Sequence, residues 1–467
     1  MPSRDALSRL LLPAVLLPVL LLGIFDHDLW TPDEPRAAEI SREFLEPGHS
    51  WAVPTLNGEP FLEKPPLVYW TAACSMKLFG VNAPAARLPC VLFGIGTLLF
   101  TGLLGRSLFD LETGRGAALI LATSSGFILV SHHLESDAGL VCFTAGAAWA
   151  LQRALAASPR WFLAFHGFLL GGFFSKGLIA LVFMGVLFAS WVIWTRSWKD
   201  LLRPWLWLGL PILAAPVALW LVQISRDPRG DLLRVFLLDN QFGRFLGRGD
   251  VRLGHYQPFY YYGIQFPAQS APWIALFVAF LPRFRRRAQD FRLRFLFSWL
   301  VPGLVFLTLS TTKRGIYAIP LLPPLAILTA HGFVDQGKGA WIPRLAGSLA
   351  AAVSLAALLL IPTIDPRKSM RPFGEALAAR CGSGTRVCAL DPDETTLAVI
   401  PFYTGRRVEV VRDADLEALA RSSVPVALVL GPHPTPEGQE KVQRFFPLLR
   451  WESPPNHSRR MEIHSRE

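Results

Sequence analysis

The chain has 467 residues, 52% of them hydrophobic, with 33 Phe, 15 Trp and a net charge of +11. Charged residues make up only 17%, against roughly 25% in an ordinary soluble domain, and segments 11–25, 177–194 and 204–224 carry no ionisable side chain. Repeated apolar runs of about 18–20 residues read as membrane spans, which excludes a soluble globular protein.

In chain order the predicted spans are 7–25, 86–105, 115–132, 138–156, 161–175, 177–195, 204–224, 263–281, 293–310, 316–334 and 342–361. The first run has no small-residue cleavage site before Trp30 and reads as a retained span rather than a signal peptide. With the N-terminus inside, the connections carrying Arg106/Arg115, Arg153/Arg160, Arg196/Lys199/Arg203 and Lys338/Arg344 all fall on the cytoplasmic side. So does the cluster Arg283, Arg285, Arg286, Arg287, Arg292 and Arg294. This is the positive-inside pattern, and it accounts for the basic balance without nucleic acid as a partner.

Two long connections, 26–85 and 225–262, fall outside. Within the first, 35–45 and 66–79 have the spacing and composition of helices lying along the interface. From about residue 363 the chain alternates apolar stretches (408–411, 424–430) with polar helical ones (413–421, 437–446). The expected organisation is a transmembrane domain over 1–362 and a small extracytoplasmic α/β domain over 363–467. Cys381 and Cys388 lie in that outer region, where a disulfide is possible.

Five outer stretches carry candidate chemistry. Trp30-Thr31-Pro32-Asp33-Glu34-Pro35-Arg36 places paired carboxylates at headgroup depth, where they are costly unless solvated, paired or used; the plainer reading makes Asp33 a helix N-cap. In Glu63-Lys64-Pro65-Pro66-Leu67-Val68-Tyr69-Trp70 the prolines give Lys64 a fixed direction, suited to holding a phosphate as a point charge. The plainer reading there is a snorkelling lysine with Tyr69 and Trp70 as headgroup anchors. Ser131-His132-His133-Leu134-Glu135-Ser136-Asp137 is a short outer turn whose two histidines, adjacent in sequence, point apart. Gly254-His255-Tyr256-Gln257-Pro258-Phe259-Tyr260-Tyr261-Tyr262 is an aromatic belt that could also grip a prenyl chain and a sugar. Thr312-Lys313-Arg314-Gly315-Ile316-Tyr317 puts two cations in an outer loop against the charge rule, and binding a lipid phosphate is a reason to do so.

Together these stretches resemble the membrane-embedded GT-C glycosyltransferases of the protein-mannosyltransferase and aminoarabinose-transferase type, over roughly residues 7–330. The resemblance implies a GT-C helical membrane fold and a polyprenyl-phosphate sugar donor with no nucleotide cofactor. It also implies a lipid, glycan or protein acceptor on the outer face of a bacterial inner membrane, and inversion by single displacement. By similarity, Asp33 is the principal catalytic carboxylate, with Asp137 and Glu34 assisting. Lys64, Arg36, Lys313, Arg314 and Tyr317 would face the donor phosphate, Tyr69, Trp70 and Tyr260 would touch lipid or sugar, and Glu63 and His255 could share a divalent metal. The rival reading is a transporter or flippase for a polyprenyl-linked lipid. It predicts ionisable groups deep in the spans or broken helices in two matching halves; the sequence shows charges gathered at one face and no repeat.

Overall fold

The computed structural model describes residues 17–243, 256–382 and 384–466. The chain divides into two compact units: one of residues 1–22, 62–68 and 88–356, the other of 23–61, 69–87 and 357–467.

The first unit is a helical membrane bundle. Among the described residues six helices are long and apolar enough to cross a bilayer: Ala83–Leu108, Leu178–Thr195, Pro204–Ser225, Phe291–Leu309, Gly315–Val334 and Trp341–Lys368. The pairs Leu111–Ala122 with Ser125–His132 and Tyr261–Ser270 with Trp273–Arg286 bend by 70° and 105° and bring the number to eight. This is fewer than the eleven expected, for identifiable reasons. The first apolar run lies mostly outside the described residues. Helix Trp161–Lys176 has 16 residues, short for a full crossing. Helix Ser136–Ala156 is rich in Ala and Gly and only moderately apolar.

That same composition explains where Ser136–Ala156 sits. It is buried along most of its length and packs lengthwise on Trp161–Lys176, as small residues allow in a membrane bundle. At Gly139 an added Cβ would meet Ser175 Oγ at 2.5 Å, so the two helices touch at this level through a missing side chain. Gly177 ends the second of them with φ +82°, a conformation that L side chains rarely adopt. The following helix begins with its Leu178 N–H donating to Gln241 Oε1 at 3.0 Å. By contrast, only 11% of the most apolar window of Pro204–Ser225 is buried in the protein. A surface of that kind needs lipid around it.

The second unit carries a small antiparallel hairpin, β1 (Thr55–Leu56) and β2 (Glu59–Pro60), and a five-stranded sheet in the order β4 (Glu409–Val411), β3 (Arg386–Leu390), β5 (Val426–Leu430), β7 (Glu462–Ser465), β6 (Leu448–Glu452). β3 pairs parallel with β4 and β5, and β7 pairs antiparallel with β5 and β6. One core contains Phe373, Leu377, Val399 and Ile400 from helices Arg371–Arg380 and Glu394–Thr404 with Val387, Ala389 and Val429. The other contains Leu416, Leu419 and Val442 from Leu416–Ala420 and Pro436–Phe445 with Cys388, Leu390 and Leu428. Val387/Ala389 and Cys388/Leu390 alternate along β3 because successive strand residues face opposite ways.

That alternation also corrects the disulfide expectation. Cys381 belongs to the first core and Cys388 to the second, and both thiols are free. Residues 26–61 and 69–85 of the first long connection belong to this unit. Helix Asp33–Glu43 packs on Glu394–Thr404, and Ile40, Phe44, Leu56, Tyr69, Ala73 and Ala398 share one core. Asn57, in the turn of a small hairpin, exchanges two 2.9 Å hydrogen bonds with the backbone of Val408.

Candidate functional site

In the second unit Asp33 and Glu34 open helix Asp33–Glu43. Asp33 is the first helical residue, not the N-cap, which is Pro32. The two neighbouring carboxylates have opposite surroundings. Glu34 is buried, and Arg87 donates from Nε and Nη2 to its two oxygens, both at 2.7 Å. The Trp30 backbone N–H adds a third bond at 2.9 Å. Arg87 also donates to the carbonyls of His27 at 3.0 Å and Asp28 at 2.5 Å, so the planar guanidinium is engaged on both edges. Asp33 keeps a quarter of its side chain exposed and meets Arg36 at 2.7 Å. Arg36 in turn pairs with Glu394 and lies 5.7 Å from the Phe61 ring centroid.

Around this strut the Asp28 carboxylate accepts from Ser369 Oγ and Tyr403 Oη, both at 2.6 Å. Burial, and then the Asp28 charge, push the Tyr403 phenol well above its ordinary range. His27 stacks on Trp30 with centroids 4.3 Å apart. Burial, helped by the Arg87 charge, lowers its pKa to about 4, so the ring stays neutral at physiological pH. Tyr69 is buried in the core shared with Ile40 and Phe44, and Trp70 donates its indole N–H to the Trp51 carbonyl at 2.7 Å.

In the membrane unit Asp137, in the first turn of Ser136–Ala156, forms an ion pair with Lys176, the last residue of the helix packed against it. The Lys176 amine lies 4.7 Å from the Tyr317 ring centroid, within cation–π range. The charges of Asp137, Lys64 and Glu135 all bear on that amine. Asp137 and Tyr317, predicted separately, therefore meet at a lysine that the motifs did not single out, and the charge of Lys64 reaches it. Its signal was present: Lys176 is the lone charge between Trp161 and Thr195, and isolated charges in apolar runs mark sites.

Lys313 is buried and donates to the carbonyls of Gln257 at 3.2 Å and Ser310 at 2.5 Å, which ties its loop to the Tyr256–Thr312 bridge. The Arg314 carbonyl accepts from Tyr262 Oη at 3.1 Å. Tyr260 is 57% exposed, beside exposed Tyr256 and Phe259, as an aromatic belt requires. Glu63 is half-buried in the turn before Leu67–Phe79, and His255 lies outside the described residues. Among the described residues no group of three or more His, Cys, Asp or Glu side chains could hold a metal ion. Glu63 is the member of the expected metal pair that lies within the described residues.

The fold has solved counterparts. ArnT from Cupriavidus metallidurans, bound to undecaprenyl phosphate, superposes with TM-score 0.81 at 17% identity, covering 99% of this chain and 98% of that one. The likeness thus includes the tail, where the sequence resemblance stopped near residue 330. The family model for dolichyl-phosphate-mannose-protein mannosyltransferase matches residues 63–222. The chain therefore shares the polytopic helical fold and C-terminal α/β unit of these GT-C membrane proteins, and it is a multi-pass protein of the bacterial inner membrane.

The undecaprenyl phosphate-alpha-4-amino-4-deoxy-L-arabinose arabinosyl transferase of Pseudomonas savastanoi pv. phaseolicola is 32% identical over 376 residues, 77% of this chain and 68% of the relative. That of Pseudomonas fluorescens is 29% identical over 377 residues. The chain belongs to this family of aminoarabinose transferases. It spans 65% of the length of the P. fluorescens relative.

Proposed function

We propose that the protein transfers a sugar from a polyprenyl-phosphate donor to a lipid, glycan or protein acceptor at the outer face of the inner membrane. The chain crosses the membrane eleven times in this reading, counting the first apolar run and helices Ser136–Ala156 and Trp161–Lys176 with the eight candidates above. The names of the relatives support the donor class. The observation that carries the reading is the grouping of Lys176, Asp137, Tyr317 and Lys64 in the membrane unit. A lysine held by a carboxylate against an aromatic ring, with a second lysine's charge acting on it, is a grouping suited to receiving a phosphate. Charged groups at such a level in a membrane bundle mark sites of this kind.

In the proposed step the acceptor nucleophile attacks the anomeric carbon, and the bond from that carbon to the phosphate oxygen breaks. The electron pair leaves with the lipid phosphate, and configuration inverts. Lys64 and Lys176 stabilise the charge gathering on the departing phosphate, the term that is usually largest in a water-poor site. Asp137 holds Lys176 in place. The family resemblance assigns the acceptor proton to Asp33, the more accessible of the paired carboxylates in the second unit, which Arg36 orients. Glu34, with both oxygens on Arg87, holds the loop. No nucleotide sugar takes part.

The test is a transfer assay on the purified protein in nanodiscs, with radiolabelled polyprenyl-phosphate sugars and an envelope acceptor pool. Wild type should move label from the donor, and Asp33→Asn should lower the rate by roughly 10²–10⁴, as loss of an acid–base group does, while lipid-phosphate binding persists. Absence of transfer from every donor, together with passage of the lipid across liposome bilayers, would replace the transferase with a transporter.

A further inference from the structure

Tyr262, Gln265 and Gln269 of helix Tyr261–Ser270 follow the i, i+3, i+7 spacing of a single helical face. That face meets the turn at Arg314 and Gly315. Tyr262 Oη donates to the Arg314 carbonyl at 3.1 Å. A Cβ added to Gly315 would lie 2.8 Å from Gln265 Oε1 and 2.8 Å from Gln269 Nε2, so both carboxamides converge where this residue has no side chain. We infer that Gln265 and Gln269 are specificity-determining residues that bind the polar groups of the donor's sugar, an inference that rests on the proposed use of a polyprenyl-phosphate sugar.

Both glutamines fall within the predicted span 263–281. There Gln269 Oε1 is buried and has no hydrogen-bond partner among the described residues. An unpaired amide oxygen in a membrane bundle is costly, and polar groups placed there mark sites. A ligand hydroxyl or amine donating to that oxygen removes the cost.

Their position fits the sugar end of the donor. Helix Tyr261–Ser270 packs on Gly315–Leu321, which packs in turn on Ser136–Ala156. The Tyr262 hydroxyl is near enough to Tyr317 and Asp137 for their charges to act on it. Gln265 and Gln269 stand about one and two turns along the helix from Tyr262, beside the grouping of Asp137, Lys176 and Tyr317 that would receive the phosphate. A carboxamide both donates and accepts, which matches sugar hydroxyl and amino groups, and it brings no charge to compete for the phosphate. A prenyl chain would ask for an apolar wall instead. Sites built to hydrogen-bond a polar substrate group reject analogues that lack it.

The experiment titrates the full chain in nanodiscs with undecaprenyl phosphate, bare or carrying 4-amino-4-deoxy-L-arabinose or mannose. Wild type should bind one of the sugar-bearing lipids at least tenfold more tightly than the bare one. Gln269→Met, close to glutamine in shape, should cut that preference about tenfold and leave the affinity for bare lipid unchanged. If it melts early, Gln265→Met takes its place with the same expectation. Equal weakening of bare and sugar-bearing lipid would make the glutamines structural and overturn the inference, as would a wild type that binds all three lipids alike. Sugar transfer by wild type with the preference kept in both variants would overturn it too and leave the transferase standing. A preference that depends on the glutamines, in a protein that transfers no sugar, would support the inference and remove the transferase.

Discussion

The pair Glu34–Arg87 in the second unit and the pair Asp137–Lys176 in the membrane unit both bury opposite charges from distant parts of the chain. They differ in how fully those charges are used. Arg87 is wholly buried, grips both oxygens of Glu34 and also holds two carbonyls. Lys176, slightly more exposed, makes a single ion pair, faces an aromatic ring and feels a second lysine. An ammonium has three donors, and a guanidinium–carboxylate fork has few to spare. A saturated pair fixes backbone; a pair with remaining donors can receive a ligand.

The largest expected effect tests the saturated half of that contrast. Arg87→Met leaves Glu34 buried without its cation, which costs about 3–5 kcal/mol and should collapse the apparent melting temperature in detergent. Adding Glu34→Leu should recover most of the loss, because a well-packed apolar pair often replaces a buried ion pair at little cost. If the double variant melts as early as the single one, the strut reading fails. On the other side, Lys176→Met should lower transfer by roughly 10²–10³, the scale for losing one charge-stabilising donor, with a melting loss smaller than that of Arg87→Met because one bond rather than a fork is broken. A melting loss as large as that of Arg87→Met would make Lys176 a strut as well.

Lys64→Ala should weaken both lipid-phosphate binding and transfer, by about tenfold in affinity, measured by titration of undecaprenyl phosphate. The last effect is on pH. His27 titrates near 4 in the folded protein and near 6.5 unfolded, so between those values the unfolded chain binds more protons. Its contribution to stability is therefore complete above about pH 6.5 and is lost as pH falls through 4. Melting of wild type from pH 7 to 4 should fall more steeply than that of His27→Gln; identical slopes would remove His27 from the account.

Much of the fold is legible in the order of residues along the chain. The runs that form Leu178–Thr195 and Phe291–Leu309 are visible as hydropathy, and strands β4 and β5 lie within the predicted apolar stretches 408–411 and 424–430. Asp33, Lys64 and Asp137 stand out as charges beside apolar runs. Tyr69 reads as a headgroup anchor or a lipid contact, because an aromatic with one polar atom suits an interface; its packing with Ile40 and Phe44 puts it in a core. Arg87 is not singled out by any local pattern, and nothing local marks Glu34 as its partner.

The sequence by itself determined the membrane class, the alternating tail and the residue types available for phosphate chemistry, because hydropathy and side-chain period are properties of short windows. Only the tertiary structure decided that residues 23–61, 69–87 and 357–467 form one unit. It alone separated Glu34 from Asp33 and brought Lys176 to Asp137. Each of these rests on contacts across tens to hundreds of residues. An ion pair a few ångströms long is set by how helices and strands pack, which no local pattern encodes.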